Sequence, residues 1–269
     1  MRFKGYAVVI EPMLLGTAGR NVSEYRSRLN ASTIIQRKHD GLYGKILDGR
    51  LYNRSGVDIT HKFPEFKHLD KLKGVALEGE ITAESEHFND VSGRVHLKDK
   101  FMLNLTAKKN PAKFMAFDVP ITSMFAVDRL ELVEEIVDAY GIMLPWLQCT
   151  EKFHSSEFES LWETVVEDNW EGLIFRKPLG VYESIRSNAV LKVKNFKEAV
   201  AEFDMYEVHP RGITLEQSAT CNRIVVNGSQ SDYVKLQIDL HGAVMCEVQY
   251  MEQNNSDKWR IPSFRGVYE

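Results

Sequence analysis

Lys38-His39-Asp40-Gly41 places an amine two residues from a carboxylate, where a strand runs into a tight turn. A lysine held in this way has a fixed amine, and an amine that has shed its proton is a nucleophile. Lys192 and Lys194 stand two apart in Leu191-Lys192-Val193-Lys194. Residues at that spacing share one face of a strand, so both suit one phosphate-binding groove. Their charge would favour the neutral amine at Lys38 and stabilise a leaving polyphosphate. Asp40, Glu80 and Glu171 supply the hard oxygen donors that Mg²⁺ or Mn²⁺ prefers. Phosphoryl transfer needs in-line placement and charge neutralisation more than covalent help, and this inventory suits both. No GxxxxGK[ST] sequence is present, so a P-loop site is not supported. Each residue also has a plainer reading: Lys38 in a surface turn, Phe117 as a core ring, Glu80 as a solvated strand residue, Lys192 and Lys194 on an exposed edge.

The elements that must position these groups are short. Ser32 to Gln36 reads as a strand, and Tyr43–Ile46 and Arg50–Asn53 flank Asp48-Gly49, a hairpin signal. Val75–Thr82, Phe114–Val119, Leu173–Arg176 and Ala189–Val193 read as further strands, and Val22–Leu29 as a helix. Asp128 is placed to cap a helix over Leu130–Tyr140 ending at Gly141, and Ser156 with Glu159 resembles a capping box. Helices lie between strands without regular βαβ order, which points to an α+β fold. Beyond about Lys197, Glu202–Val208, Arg223–Val226, Tyr233–Leu240 and Ala243–Met251 all read as strands, the pattern of a small OB-type barrel. The expected division is residues 1–199 and 200–269.

The chain has 269 residues, 43% of them hydrophobic and 27% charged, so a buried core is expected. Residues 200–269 carry 6 basic and 10 acidic side chains, and residues 1–199 carry 28 of each, which gives the net charge of -4. A generally basic nucleic-acid coat and a polybasic membrane binder are excluded, but a local basic groove is not. Cys149, Cys221 and Cys246 form no CxxC pair, so neither a cysteine zinc site nor a disulfide framework is expected. The basic-then-apolar start is interrupted by Glu11 and Pro12 and falls short of a membrane span. The expectation is a soluble, intracellular (cytoplasmic) protein.

Further motifs follow Lys38 in order. These are Arg54-Ser55-Gly56, Leu77-Glu78-Gly79-Glu80-Ile81, Phe117-Asp118-Val119, Glu171-Gly172, Arg176-Lys177-Pro178, Arg186-Ser187 and the Lys192/Lys194 pair. The set resembles the covalent nucleotidyltransferases and, most closely, the ATP-dependent DNA ligases, with the small ligases of phages and an algal virus nearest in size. The resemblance runs from about Gln36 to the C-terminus.

It implies a nucleotidyltransferase domain of ATP-grasp-like antiparallel sheets with helices, then an OB domain. It also implies ATP and Mg²⁺ (or Mn²⁺) as cofactors, nicked duplex DNA as partner, and a monomer. The implied reaction passes from a lysyl-adenylate through an adenylated DNA 5′ end to a sealed nick. Lys38 falls on the nucleophile, Asp40 on the acidic residue of its motif, and Arg54 on an arginine that contacts ribose and later the nick. Glu80 matches the acidic residue near the ribose, Phe117 the ring on adenine, and Glu171 a metal-organising carboxylate. Arg186, Lys192 and Lys194 match the basic residues around the phosphates, and Gln36 sits near the adenine-binding backbone. Arg260 and Arg265 lie in what resembles the last ligase motif, which closes over ATP.

Tyr43 departs from the pattern, since ligases usually carry arginine there, and Lys45 on the same strand face is a candidate substitute for a 5′-phosphate contact. Arg94–Lys113, with Lys98, Lys100, Lys108 and Lys109, is a candidate DNA-phosphate patch or a solvated loop. An RNA ligase, a capping guanylyltransferase and a non-catalytic OB-type nucleic-acid binder are the alternatives.

Overall fold

The computed structural model describes residues 11–84, 88–253 and 257–268; the first ten residues of the apolar start lie outside them. The chain forms two compact units, residues 1–193 and 194–269. In chain order the first contains β1 (Leu14–Thr17), α1 (Val22–Arg28), β2 (Ile34–Lys38), β3 (Leu42–Leu47), β4 (Arg50–Tyr52), β5 (Ala76–Ala83), α2 (Phe88–His96), α3 (Lys100–Lys109), β6 (Ala112–Asp118), α4 (Ala126–Tyr140), β7 (Leu147–Cys149), β8 (Lys152–His154), α5 (Phe158–Glu167), β9 (Gly172–Arg176) and β10 (Arg186–Lys194). No helix among the described residues is long and apolar enough to cross a membrane.

Two five-stranded sheets organise this unit, in the orders β1-β10-β9-β2-β8 and β4-β3-β5-β6-β7. They are not wholly antiparallel: the edge pairs β1–β10 and β6–β7 run parallel. Strand alternation gives each sheet an apolar outer face. In the first, Ile35, Leu173, Phe175 and Val193 pack with Tyr25 of α1 and Phe158, Leu161 and Val165 of α5. In the second, Ile46, Leu77, Ile81 and Phe114 pack with Val133 and Ile136 of α4. The opposite faces carry the polar residues: Gln36 and Lys38 on β2, Tyr43 and Lys45 on β3, and Glu78 and Glu80 on β5.

Two buried ties join the sheets. Arg176 of β9 donates to Asp118 of β6 at 2.7 Å, and the Tyr182 hydroxyl donates to Glu78 of β5 at 2.7 Å. Arg129 of α4, fully buried, reaches the same Asp118 with two nitrogens at 2.7 and 3.3 Å. Asp118 therefore answers two buried guanidinium groups, the pairing that makes such burial tolerable.

Several local expectations change. The Asp48-Gly49 hairpin forms, with φ of 50° and 78° as a type I′ turn requires. Helix α4 begins earlier than expected, at Ala126, so Asp128 sits in its first turn and does not cap it. Buried Ala126, Arg129, Leu130, Val133 and Ile136 set its start, since they form one helical stripe. His154 and Glu157, not Ser156 and Glu159, make the capping box ahead of α5, and Glu159 instead pairs with Arg26. Arg94–Lys113 is two helices and a strand end, not a loop. Arg94 is 1% exposed and donates to Glu65 and to the carbonyl of Asn110, so it is a structural cation and not a phosphate contact.

The second unit holds β11 (Lys197–Phe203), β12 (Met205–His209), β13 (Gly212–Glu216), β14 (Arg223–Asn227), α6 (Ser229–His241), β15 (Val244–Tyr250), β16 (Glu252–Gln253), β17 (Trp259–Arg260) and β18 (Ser263–Val267). Two three-stranded antiparallel sheets, β11-β15-β18 and β12-β13-β14, share one core around Phe203, Leu215, Val226, Val234 and Val248. The expected strand Tyr233–Leu240 is the helix α6. Val234, Leu236, Ile238 and Leu240 alternate as in a strand, yet only Val234 and Ile238, four apart, are buried, while Leu236 and Leu240 are 51% and 64% exposed. Gly242 in the left-handed region ends the helix, its N–H bonded to Ile238.

Candidate active site

The ladder between β2 and β9 pairs Gln36 with Ile174 and Lys38 with Gly172. This register brings Glu171 beside Lys38 across 133 residues, and the Lys38 amine donates to the Glu171 carboxylate. The strand then turns at Gly41. A Cβ there would stand 2.3 Å from the carbonyl oxygen of Ile81, so the glycine lets the lysine-bearing turn lie directly on β5.

Lys38 borders a cavity between the polar faces of the two sheets. Gln36, Arg54, Glu80 and Phe117 line it as well. Its volume is about 130 Å³, comparable with a cavity of roughly 150 Å³ that admits one benzene ring. Phe117 and Ile174 supply apolar surface from opposite sheets. Phe117 is aimed by a β-bulge: Glu78 pairs with Asp118 and Gly79 with Ala116, which leaves Phe117 as the unpaired extra residue. Arg54 sits on a loop shaped by Asn53, whose side-chain oxygen accepts from the backbone of Ser55 and Val57 at 3.0 and 2.9 Å. Its guanidinium lies 4.9 Å from the centre of the Tyr43 ring.

Glu80 has its carboxyl pushed up to about 7. Burial is the largest cause; Lys38 opposes it, Glu171 adds to it, and Arg54 and Asp40 follow with opposite signs. Lys38, Asp40, Arg54, Glu80 and Glu171 thus form one electrostatic neighbourhood. Among the described residues no three His, Cys, Asp or Glu side chains converge on a point that would hold a metal. The donor set still fits a hard cation such as Mg²⁺, which takes one or two carboxylates from a protein and completes its shell with phosphate oxygens and water.

On the cavity's polar floor the sequence reading named Gln36 but missed Glu78, Asp118 and Arg176. Arg176 donates to Gln36 at 2.6 Å as well as to Asp118, so Gln36 is held by β9. Glu78, two residues from Glu80 on the same strand face, takes the Tyr43 hydroxyl at 2.6 Å, the Tyr182 hydroxyl at 2.7 Å and the Lys45 amine at 2.9 Å, all buried. Burial and the Glu78 charge push both tyrosine hydroxyls well above their usual range, so both stay protonated donors. Lys45 and Tyr43 are consumed inside the fold, and the expected phosphate contact from Lys45 is not available. Period-two spacing from Glu80 is the signal that could have found Glu78.

Other expected residues lie elsewhere. Arg186 is exposed and donates to the carbonyl of Leu15 at 2.8 Å, outside the cavity lining. Lys192 pairs in register with Thr17 on β1. Lys194, the last residue of β10 and the first of the second unit, approaches Met251 at 3.1 Å and the Phe196 ring at 5.8 Å. Arg260 pairs with Glu252 at 3.5 Å. Arg265 occupies a bulge between the pairs Glu247–Gly266 and Val248–Phe264.

The family described as ATP dependent DNA ligase domain matches residues 12–194. No curated protein sequence matches the chain. Among solved structures, a minimal Lig E DNA ligase is 18% identical and aligns over 97% of this chain and 100% of its own, with a TM-score of 0.73. The DNA ligase–adenylate of Chlorella virus is 19% identical over 98% of this chain and 99% of its own, with a TM-score of 0.53. The ATP-dependent DNA ligase of bacteriophage T7, solved with ATP, is 17% identical over 96% and 98%, with a TM-score of 0.55. At such identities the likeness is one of fold, and it spans both units.

Proposed function

The chain belongs to the ATP-dependent DNA ligase domain family, an enzyme with the nucleotidyltransferase and OB-domain fold of those ligases, and from this premise we propose that it seals nicks in duplex DNA through a lysyl-adenylate at Lys38. The observation that carries the reading is the Lys38–Glu171 contact at the rim of a ring-sized cavity bordered by Phe117, Arg54 and Glu80.

In the first step the Lys38 nitrogen attacks the α-phosphorus of ATP. An N–P bond forms, the bond from that phosphorus to the bridging oxygen breaks, and pyrophosphate leaves. Glu171, already bonded to the amine, takes the proton. Phe117 and Ile174 hold the base, and Arg54 and Glu80 face the sugar, so the α-phosphate is positioned before reaction. AMP then passes from Lys38 to the 5′-phosphate of a nick. Attack by the 3′-hydroxyl forms the phosphodiester and expels AMP. Glu80 and Asp40 are the residues that would hold a divalent cation. When bound, such an ion supplies charge neutralisation at the phosphate oxygens.

The test is incubation with α-labelled ATP and Mg²⁺. Label should become bound to the protein, vanish in Lys38→Ala, and transfer to a nicked duplex to yield a sealed strand. No labelled adduct from the native protein would refute the reading.

A further inference from the structure

Helix α3 is pinned at both ends and leaves its most apolar face to solvent. At its start Asp99 accepts from the backbone of Phe101 and Met102 at 2.7 and 3.1 Å. At its end Arg94 donates to the carbonyl of Asn110, whose side-chain amide donates to Asp90 at 3.0 Å. The helix buries only Leu103 and Ala107, four residues apart. Phe101, Met102 and Leu105 are exposed, Phe101 to 72%. Leu105 lies four residues beyond Phe101 and three beyond Met102, so the three share one face. Single apolar residues scattered over a surface are ordinary, whereas a contiguous apolar patch with a polar rim marks an interaction site. Here the rim is cationic. Lys98 and Lys100 stand at the start of the helix, and Lys108 and Lys109 continue the face three and four residues beyond Leu105. All four are exposed, and among the described residues no carboxylate pairs with any of them. Asp99, the one acidic residue from 97 to 113, is spent on the cap.

We propose that this face of α3 docks a short acidic segment of another protein, with apolar side chains at its centre and carboxylates on both sides. A phosphate backbone would answer the lysines but would give Phe101, Met102 and Leu105 nothing apolar to bury. A wholly apolar partner would cover those three and leave the lysines unanswered. An acidic segment with an apolar centre satisfies both, and charge complementarity of this kind selects the partner and speeds its approach. The ten residues of α3 span about 15 Å, which an extended peptide covers with roughly five residues. Met102, with its unbranched thioether, lets the patch adapt to different apolar side chains. The clamps at Asp99 and Asn110 hold the helix in place before the partner arrives, which lowers the cost of ordering on binding.

The probe is a fluorescently labelled synthetic peptide with Phe and Leu at its centre and Asp and Glu on both sides, titrated with the native protein. Two control peptides separate the two halves of the recognition: one carries Asn and Gln in place of the acids, the other Ser in place of Phe and Leu. Each control should bind about tenfold more weakly than the probe, and added salt should weaken the probe far more than the amide control. Phe101→Ser combined with Leu105→Ser should lower probe affinity about tenfold or more. Lys108→Gln combined with Lys109→Gln should lower it severalfold and flatten its salt dependence. All four side chains are exposed, so urea midpoints near the native value are expected and verify folding. Equal binding of the three peptides by the native protein overturns the proposal, as does unchanged probe affinity in the folded Phe101/Leu105 double variant. Nicked-duplex affinity that falls as far as probe affinity in that variant would assign the face to nucleic acid and overturn it too. Self-association of the native protein that the same variant abolishes would assign the face to a second copy of this chain, with the same consequence.

Discussion

The carboxylate of Glu171 hydrogen-bonds the amine of Lys38 because β2 and β9 are laddered with Lys38 opposite Gly172, one residue from that carboxylate. A flexible lysine side chain is thereby held at one place on the cavity rim, with a carboxylate bonded to its amine. Glu171→Gln keeps the shape and removes the carboxylate charge that the proposed reaction uses as its base. Adenylation by that variant should fall by about 10²- to 10⁴-fold, while nucleotide binding changes little. Single-turnover adduct formation across pH separates the two effects. An unchanged rate would remove Glu171 from the chemistry.

Glu80 gives the fold a pH dependence of defined sign. Its carboxyl titrates near 7 in the folded chain, above the value of 4.5 expected when unfolded. Between those values the folded state binds more protons than the unfolded one, so stability falls as pH rises from about 4.5 to 7 and the full cost is present above it. Glu80→Gln should flatten that slope and gain on the order of 1–2 kcal/mol at pH 8. Urea unfolding of both proteins from pH 5 to 8 measures this.

Asp118 is the only described carboxylate touching both Arg129 and Arg176. Removing its charge strands two buried guanidinium groups, a loss of about 3–5 kcal/mol. Asp118→Asn should therefore unfold at clearly lower denaturant concentration. A midpoint within experimental error of the native protein's would show that the triad is not a structural clasp.

Arg94 and the lysines of α3 should respond to substitution in opposite ways. Arg94 is buried against Glu65, so Arg94→Met should cost stability and leave the salt dependence of DNA binding intact. Lys108 and Lys109 are exposed. If they neutralise phosphates, each Lys→Gln change should lower the slope of log affinity against log salt by about 0.9 with no loss of stability. Titrations of a nicked duplex at several salt concentrations decide the matter, and unchanged slopes in both lysine variants would take α3 out of the DNA-binding surface.

Much of the site was legible in the sequence because it is local. Lys38-His39-Asp40-Gly41, Glu78-Gly79-Glu80 and Phe117-Asp118 lie within single strands or at their ends, where period-two alternation fixes which side chains share a face. The hairpin at Asp48-Gly49 was legible for the same reason, since two positive φ values in succession select those residues. What tertiary structure decided was the fate of charges whose partners lie far away in sequence. Lys45 and Arg94 read as free cations until Glu78 and Glu65 are folded against them, and Gln36 gains an orientation only from Arg176, 140 residues away. In α6 the alternating Val234, Leu236, Ile238 and Leu240 satisfy a strand's pattern and a helix's equally well, and burial of Val234 and Ile238 alone settles it. A period states which side chains share a face, but only packing determines what that face meets.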